Sequence, residues 1–329
     1  MHHMKFFILF LCSTLFFIVS YQRVDSEFKT IQVKIKSSDS LALQIKLGRM
    51  LFYEKQLSRD STISCGSCHL QEFAFADTVQ FSKGIKNRKP SRNTPTLTNI
   101  GQNQRFMFDG FLTTLEKQII VPIEEHNEMD FSLLEASKRL NENKKYRSLA
   151  VKIFNRNVDP FVITRAIAAF ERSLISNQSK YDLMKSGKVV FSSDEKEGMN
   201  LFFNKLNCIK CHSDQNFGNQ LTFNNGLSEE YLDLGRFRVT LKEEDKAKFK
   251  VPTLRNIALT RPYMHDGSLP DLLSVIRHYE SGGHKHVNKS EFIQAFKLTE
   301  KEEKQLIAFL ESLTDETFIK NKAFRPLKR

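Results

Sequence analysis

The chain contains no tryptophan, so no step in it can depend on an oxidisable indole. Strand signals are sparse, which argues against a sheet-built fold and for a mainly α protein with long loops. No block of lysine and arginine is interleaved with aromatics, so nucleic-acid binding has no support despite a net charge of +12. That charge favours acidic partners or an anionic membrane surface, although many soluble proteins are equally basic. Only one long apolar run occurs, and it lies at the start. Lys5 precedes Phe6–Leu11 and Leu15–Val19, a basic residue followed by about 15 mostly apolar ones, as in a secretory signal. A spanning helix needs about 20. Ser20 is small but Ile18 is not, so cleavage is poorly specified, and residues 1–20 read as a signal peptide or a retained N-terminal anchor. Cys12 follows Leu9-Phe10-Leu11, not the small residues of a lipoprotein site. The expected location is outside the cytoplasm, in the periplasm.

Cysteine is scarce too, and its placement is informative. Of five cysteines, Cys12 lies in the leader and the others are Cys65, Cys68, Cys208 and Cys211. Each pair is a C-x-x-C followed at once by histidine, His69 or His212. A redox dithiol does not need that histidine. A four-thiolate zinc site leaves both histidines unexplained. A disulfide within each pair is small and strained, though exported proteins form disulfides. C-x-x-C-H is the attachment pattern of c-type haem: the thiols add to the two vinyl groups and the histidine binds iron. Such attachment takes place outside the cytoplasm, in agreement with the leader. Two motifs that use every cysteine beyond the leader predict two covalently bound c-type haems.

The approaches to the motifs repeat. Gly48-Arg-Met-Leu-Phe52 precedes the first by 17 residues and Gly198-Met-Asn-Leu-Phe202 the second by 10. Two ordinary amphipathic helices would look similar, but the shared register predicts a duplicated cytochrome-c-like unit. Phe131–Leu140 and Phe161–Leu174 carry the 3.6-residue period of helices. Tyr181–Ser193 reads as a linker, with Gly187 and a helix start at residues 192–194. The expected organisation is an N-terminal haem domain over residues 21–185 and a C-terminal one over 186–329.

A haem with one protein ligand can react, whereas one with two strong ligands mostly moves electrons. The histidines left for a sixth position are His126, His265, His278, His284 and His286. Pro270 suits the first turn of a helix and Gly282-Gly283 its end. Leu272, Val275, Ile276 and Tyr279 share one face, with His278 on the wetter side. A buried Tyr279 hydroxyl needs a partner, which by itself is more often a carbonyl than iron. Met264 is the runner-up.

From about Leu47 to Gly283 the chain resembles the bacterial di-haem cytochrome c peroxidases. The matching stretches include Leu47-Gly-Arg-Met-Leu-Phe, Ser64-Cys-Gly-Ser-Cys-His, Arg92-Asn-Thr-Pro-Thr-Leu-Thr-Asn, Val251-Pro-Thr-Leu-Arg-Asn-Ile and Pro262-Tyr-Met-His-Asp-Gly. The resemblance implies a peroxide-reacting haem in the N-terminal half, an electron-transfer haem in the other and calcium between them. It implies Glu128 as the acid–base residue, where the charged loop alone would suggest a solvated acid. It places Gln118 and Pro122 in the distal pocket. It assigns Asn93, Thr260 and Pro262 to calcium, residues that otherwise read as turn formers. It implies hydrogen peroxide and a redox-protein electron donor as partners; a homodimer is left open. The MauG-type subgroup has tyrosine where typical peroxidases ligate the second iron with methionine, 14 residues after the His-Asp-Gly histidine, and Tyr279 stands there. Typical members carry a removable distal histidine where this chain has Ile85. They carry an inter-haem tryptophan where it has Phe108, and an arginine where it has Phe111. The expected function is peroxide reduction. A MauG-like oxidase and a non-catalytic electron carrier are the alternatives.

Overall fold

The computed structural model describes residues 37–327, so the leader and Cys12 lie outside the described residues. By compactness the chain divides into Met1–Ala42 and Leu43–Arg329. The first unit is described only where it enters helix α1, Ser37–Phe52. The remaining helices are α2 (Leu115–Glu124), α3 (Leu133–Glu142), α4 (Lys144–Phe154), α5 (Pro160–Arg172), α6 (Lys180–Lys185), α7 (Ser193–Asn200), α8 (Phe237–Thr240), α9 (Leu272–Glu280), α10 (Glu300–Glu311) and α11 (Glu316–Lys320). One two-stranded sheet pairs β1 (Thr222–Phe223) with β2 (Phe249–Lys250). The fold is mainly α, as expected from the sequence.

The helix starts are written in short polar residues. Asp159 caps α5 through its bond from the Val162 N–H, with Pro160 in the first turn. Ser192 and Glu195 form a reciprocal capping box on α7, at the start anticipated from the sequence. Two expectations shift. Pro270 lies before α9 rather than in its first turn, because Asp271 takes the cap and accepts from the Ser274 N–H. The stretch expected as a linker contains α6, and Tyr181 packs against Phe217 and Phe309.

Two apolar cores are built on one plan. In the first, Phe52, Phe75 and Phe170 meet, and in the second Phe202, Phe217 and Phe309. Each depends on a glycine. A Cβ on Gly48 would lie 1.8 Å from the Ala166 carbonyl oxygen and 2.9 Å from the Phe170 Cβ. A Cβ on Gly198 would lie 1.8 Å from the Gln305 oxygen and 2.9 Å from the Phe309 Cβ. The glycines therefore let α1 approach α5, and α7 approach α10, at backbone contact. The G-x-x-L-F repeat is thus a pair of equivalent helix crossings, and the duplication runs on to Ala166–Leu174 and Gln305–Leu313.

Polar groups join the two halves. Asn99 and Asn256, both in left-handed backbone conformation, receive and donate in parallel. Asn99 Oδ1 accepts from the Ser176 N–H at 2.7 Å, and Asn256 Oδ1 accepts from the Asp315 N–H at 2.7 Å. Asn99 Nδ2 reaches Asn216 Oδ1 at 2.9 Å, and Asn256 Nδ2 reaches Thr98 and Ser176. Beyond α10 the chain returns to the first core: Phe318 and Phe324 pack there, Tyr53 Oη donates to the Phe324 carbonyl, and Gln71 Nε2 to that of Asn321. Arg92 holds Asp109 through two bonds of 3.0 and 2.8 Å and Asp233 through two of 2.5 and 2.8 Å. All three side chains are at most 14% exposed. Arg92→Leu leaves two buried carboxylates unpaired, which typically costs about 3–5 kcal/mol. The expected result is a clearly lower urea midpoint of the holoprotein; an unchanged midpoint would show that the carboxylates find other partners.

Candidate haem sites and distal pocket

The two C-x-x-C-H motifs fold alike. Each is a single 3₁₀ turn, Cys65–Ser67 or Cys208–Lys210. The histidine N–H donates to the first cysteine's carbonyl at 2.9 Å in both. His69 Nδ1 bonds the Phe75 carbonyl at 2.7 Å, and His212 Nδ1 bonds the Phe217 carbonyl at 2.7 Å. A bond to a carbonyl requires Nδ1 to carry the proton, so Nε2 keeps its lone pair for a metal. Burial, the first cause in each case, lowers both imidazole pKa values and keeps the rings neutral.

The four thiols are free. Burial pushes Cys68 and Cys211 up to about 11, Cys208 to about 12 and Cys65 higher still. A redox dithiol needs the opposite shift. Among the described residues no group of three or more His, Cys, Asp or Glu is placed to hold a metal ion, so the two pairs do not join in a zinc site. Two free thiols beside a neutral imidazole with an available Nε2 fit a c-type haem in each place.

The surroundings of the two motifs correspond and then diverge. Phe106 bridges Leu112 and Tyr263 bridges Leu269 in matching antiparallel turns, with Gly110 and Gly267 at φ 62° and 64°. Thr114 then caps α2, and Asp271 caps α9. Seven residues beyond the first residue of each helix come Pro122 and Tyr279. Where the second site carries a phenol, the first carries a side chain with no ligating atom.

Tyr279 Oη accepts from Asn225 Nδ2 at 3.4 Å, and the same nitrogen contacts Met264 Sδ at 3.3 Å. Both candidates for the second iron therefore converge on Asn225, a residue the sequence reading missed. His278 is half-buried, and its Nε2 contacts the Asn225 carbonyl at 3.1 Å. Burial pushes the Tyr279 phenol up to about 12, opposed by the Asn225 bond, with Cys211 and Cys208 among its electrostatic neighbours. The phenol thus lies on the side of the second motif. Tyr279→Phe is expected to change the spin state of one haem only, read in the ferric absorption and electron paramagnetic resonance spectra. Unaltered spectra would transfer the role to Met264.

Glu128 sits in a pinned loop. Its carbonyl accepts from the Ile85 N–H at 2.9 Å, and a Cβ on Gly84 would lie 2.0 Å from the Asn127 oxygen. Arg88 Nη1 binds the His126 carbonyl at 2.6 Å and Asp130 at 3.0 Å. The segment Ser82-Lys-Gly-Ile85 is thereby locked to the Glu128 loop, and Ile85 is fully buried. Burial first and Glu125 second push the Glu128 carboxyl up to about 7. The carboxyl is among the electrostatic neighbours of both Cys68 and Cys65, so it belongs to the first motif. Gln118 is half-buried on α2, one turn before Pro122.

The other expected positions are spread more widely. Phe108 lies 6.0 Å from the Arg92 guanidinium, and Phe111 is 43% exposed. His265 stacks on Phe249 at 3.8 Å, His126 is exposed beside Asp130, and His286 contacts Asn224. Asn93 Nδ2 donates to the Val79 and Gln80 carbonyls, which leaves Oδ1 as its acceptor. Its N–H donates to the His265 carbonyl at 2.8 Å, bringing it to the turn after Thr260 and the cis Arg261–Pro262 bond. Neutral oxygens of this kind suit calcium, which takes carbonyls readily.

The family described as di-haem cytochrome c peroxidase matches residues 42–189, and cytochrome c matches 195–314. A methylamine utilization protein MauG from Methylophilus methylotrophus is 36% identical over 81% of this chain and 81% of its own. A cytochrome c551 peroxidase from Nitrosomonas europaea is 34% identical over 82% of this chain and 79% of its own. The crystal structure of a MauG-like protein associated with microbial copper homeostasis superposes with a TM-score of 0.82 at 34% identity, covering 86% of this chain and 93% of that one. With its two cytochrome c units, paired haem-attachment turns and these relatives, the chain belongs to the di-haem cytochrome c peroxidase and MauG family.

Proposed function

We propose that this protein is an exported di-haem peroxidase that reduces hydrogen peroxide with electrons from a redox protein such as cytochrome c. The observation that carries the reading is the contrast between Pro122, with Glu128 beside it in sequence, and Tyr279 at the equivalent place. The first place carries no side-chain atom that could ligate a metal and has a buried carboxyl near it; the second would offer a phenol. Cys65, Cys68 and His69 would hold the first haem, and Cys208, Cys211, His212 and Tyr279 the second. The haem iron supplies the redox chemistry at which peroxide is split. The Glu128 carboxylate takes the proton from one peroxide oxygen and returns it to the other, which leaves as water. Gln118 orients the bound peroxide. Ile85, apolar and buried, replaces a ligand that would have to be removed before reaction.

We further place the division between the haem domains near residues 185 and 186, and a calcium ion on Asn93, Thr260 and Pro262. The apolar leader directs the chain to the periplasm and either is cleaved or anchors it. A basic chain favours a donor with an acidic docking face. The tyrosine at 279 favours a second reading, a MauG-like oxidase of a protein or small molecule.

The test is steady-state oxidation of reduced cytochrome c by peroxide, with holoprotein that has not been pre-reduced. Turnover without a lag supports the peroxidase. Peroxide consumption without cytochrome c oxidation supports the oxidase, and no peroxide reaction at all leaves an electron carrier.

A further inference from the structure

The duplication makes one difference between the halves conspicuous. The crossing of Gly48 on Ala166 matches that of Gly198 on Gln305, and the match continues residue by residue. Ser173 Oγ donates to the Phe170 carbonyl and Ser312 Oγ to the Phe309 carbonyl, each at 2.6 Å. Leu174 and Leu313 are both fully buried, and their carbonyls accept from the Asn99 and Asn256 N–H at 3.0 Å. Within this frame Leu310 of the second half corresponds to Glu171 of the first. Leu310 is 8% exposed and Glu171 4% exposed. Glu171 Oε2 is the one buried side-chain oxygen or nitrogen among the described residues without a hydrogen-bond partner. An unpaired buried carboxylate is costly, so a structural role alone favours the leucine that its counterpart has.

Glu171 lies beside Cys65 of the first motif, which haem attachment would turn into a thioether, and Arg172 on the same helix and Glu116 of α2 are the titratable groups facing it. Arg172 does not neutralise it, because its guanidinium is bound to Glu116 by two bonds of 2.8 and 3.0 Å. We propose that Glu171 is a proton-holding residue of the first haem site, taking up a proton when that site gains an electron and releasing it when the electron leaves. The inference rests on the reading of a haem at Cys65, Cys68 and His69. One electron arrives from the redox-protein donor and one proton from water joins the carboxylate, so local charge is conserved. In a low-dielectric setting this coupling is strong, because added negative charge nearby favours the protonated acid. Burial already pushes the carboxyl up to about 8, against the pull of Arg172. The second site, with Leu310, has no such group and holds its potential through the same range.

The experiment is a spectroelectrochemical titration of the holoprotein at a series of pH values, following both haems separately, in wild type, Glu171→Gln and Glu171→Leu. Expected in wild type is a potential of the first haem that falls as pH rises through the region around 8, while the second haem lacks that segment. Glu171→Gln keeps the shape and removes the Glu171 titration, so the slope around 8 falls to the part that Glu128, pushed to about 7 beside the same motif, contributes; Glu171→Leu, the residue of the other half, behaves the same. A flat wild-type profile, or the same slope in either variant, overturns the proposal. Failure to find two covalently attached haems would instead overturn the reading beneath it.

Discussion

Glu128→Gln is expected to lower peroxide-dependent turnover by about 10²–10⁴-fold, the usual contribution of a positioned acid–base group. Both haem spectra should persist, because the loop is held by backbone and by Arg88 rather than by the Glu128 carboxyl. The group must start as a carboxylate to accept the first proton. Since burial places its pKa at about 7, kcat/KM should rise with pH and level off above that value. A solvated glutamate would place the same limb near pH 4–5. Glu128→Gln should erase the limb together with the rate. Wild-type turnover in the variant would remove the assignment, and a limb near 4 would show that the carboxyl is not buried during reaction.

The second large effect concerns the glycine crossings. Gly48→Ala and Gly198→Ala each push a Cβ to 1.8 Å from a backbone oxygen, which no flexible side chain can relieve. The helices must separate, and with them Phe52 from Phe170, or Phe202 from Phe309. Overpacking of this kind costs about 1–3 kcal/mol and more where backbone must move. The expected result is a reduced yield of holoprotein, with the haem of the affected half selectively disturbed in its spectrum. Full yield with both spectra unchanged would mean that the crossings tolerate the added methyl group.

Much of this architecture is visible in the residues themselves. The C-x-x-C-H pairs announce covalent cofactor attachment because thiol spacing and the adjacent imidazole leave few other readings. Gly48 and Gly198 announce a repeat, since a fixed glycine in a G-x-x-L-F frame marks a close approach. The rest of the repeat is harder to see. Phe106-Met-Phe-Asp-Gly and Tyr263-Met-His-Asp-Gly share a turn, yet the helices after them share almost no side chains, one carrying Pro122 where the other carries Tyr279. Asn225 was not anticipated, since an asparagine in a loop reads as turn chemistry until its contacts with Met264 and Tyr279 are seen. Glu171 was hidden for a related reason. In the sequence it is one charged residue near the end of an amphipathic helix, where exposure is the rule. The return of Phe318 and Phe324 to the first core is a long-range contact that no local period encodes.

In the proposed reading two copies of one site have diverged, the first left accessible by Pro122 and Ile85 and the second closed by Tyr279. The most direct measurement is the electron paramagnetic resonance spectrum of the oxidised holoprotein as purified, before any reductant is added, with cyanide then titrated in. One high-spin and one low-spin ferric signal, and uptake of one cyanide per chain, is the predicted result. Two low-spin signals with no cyanide bound would contradict it.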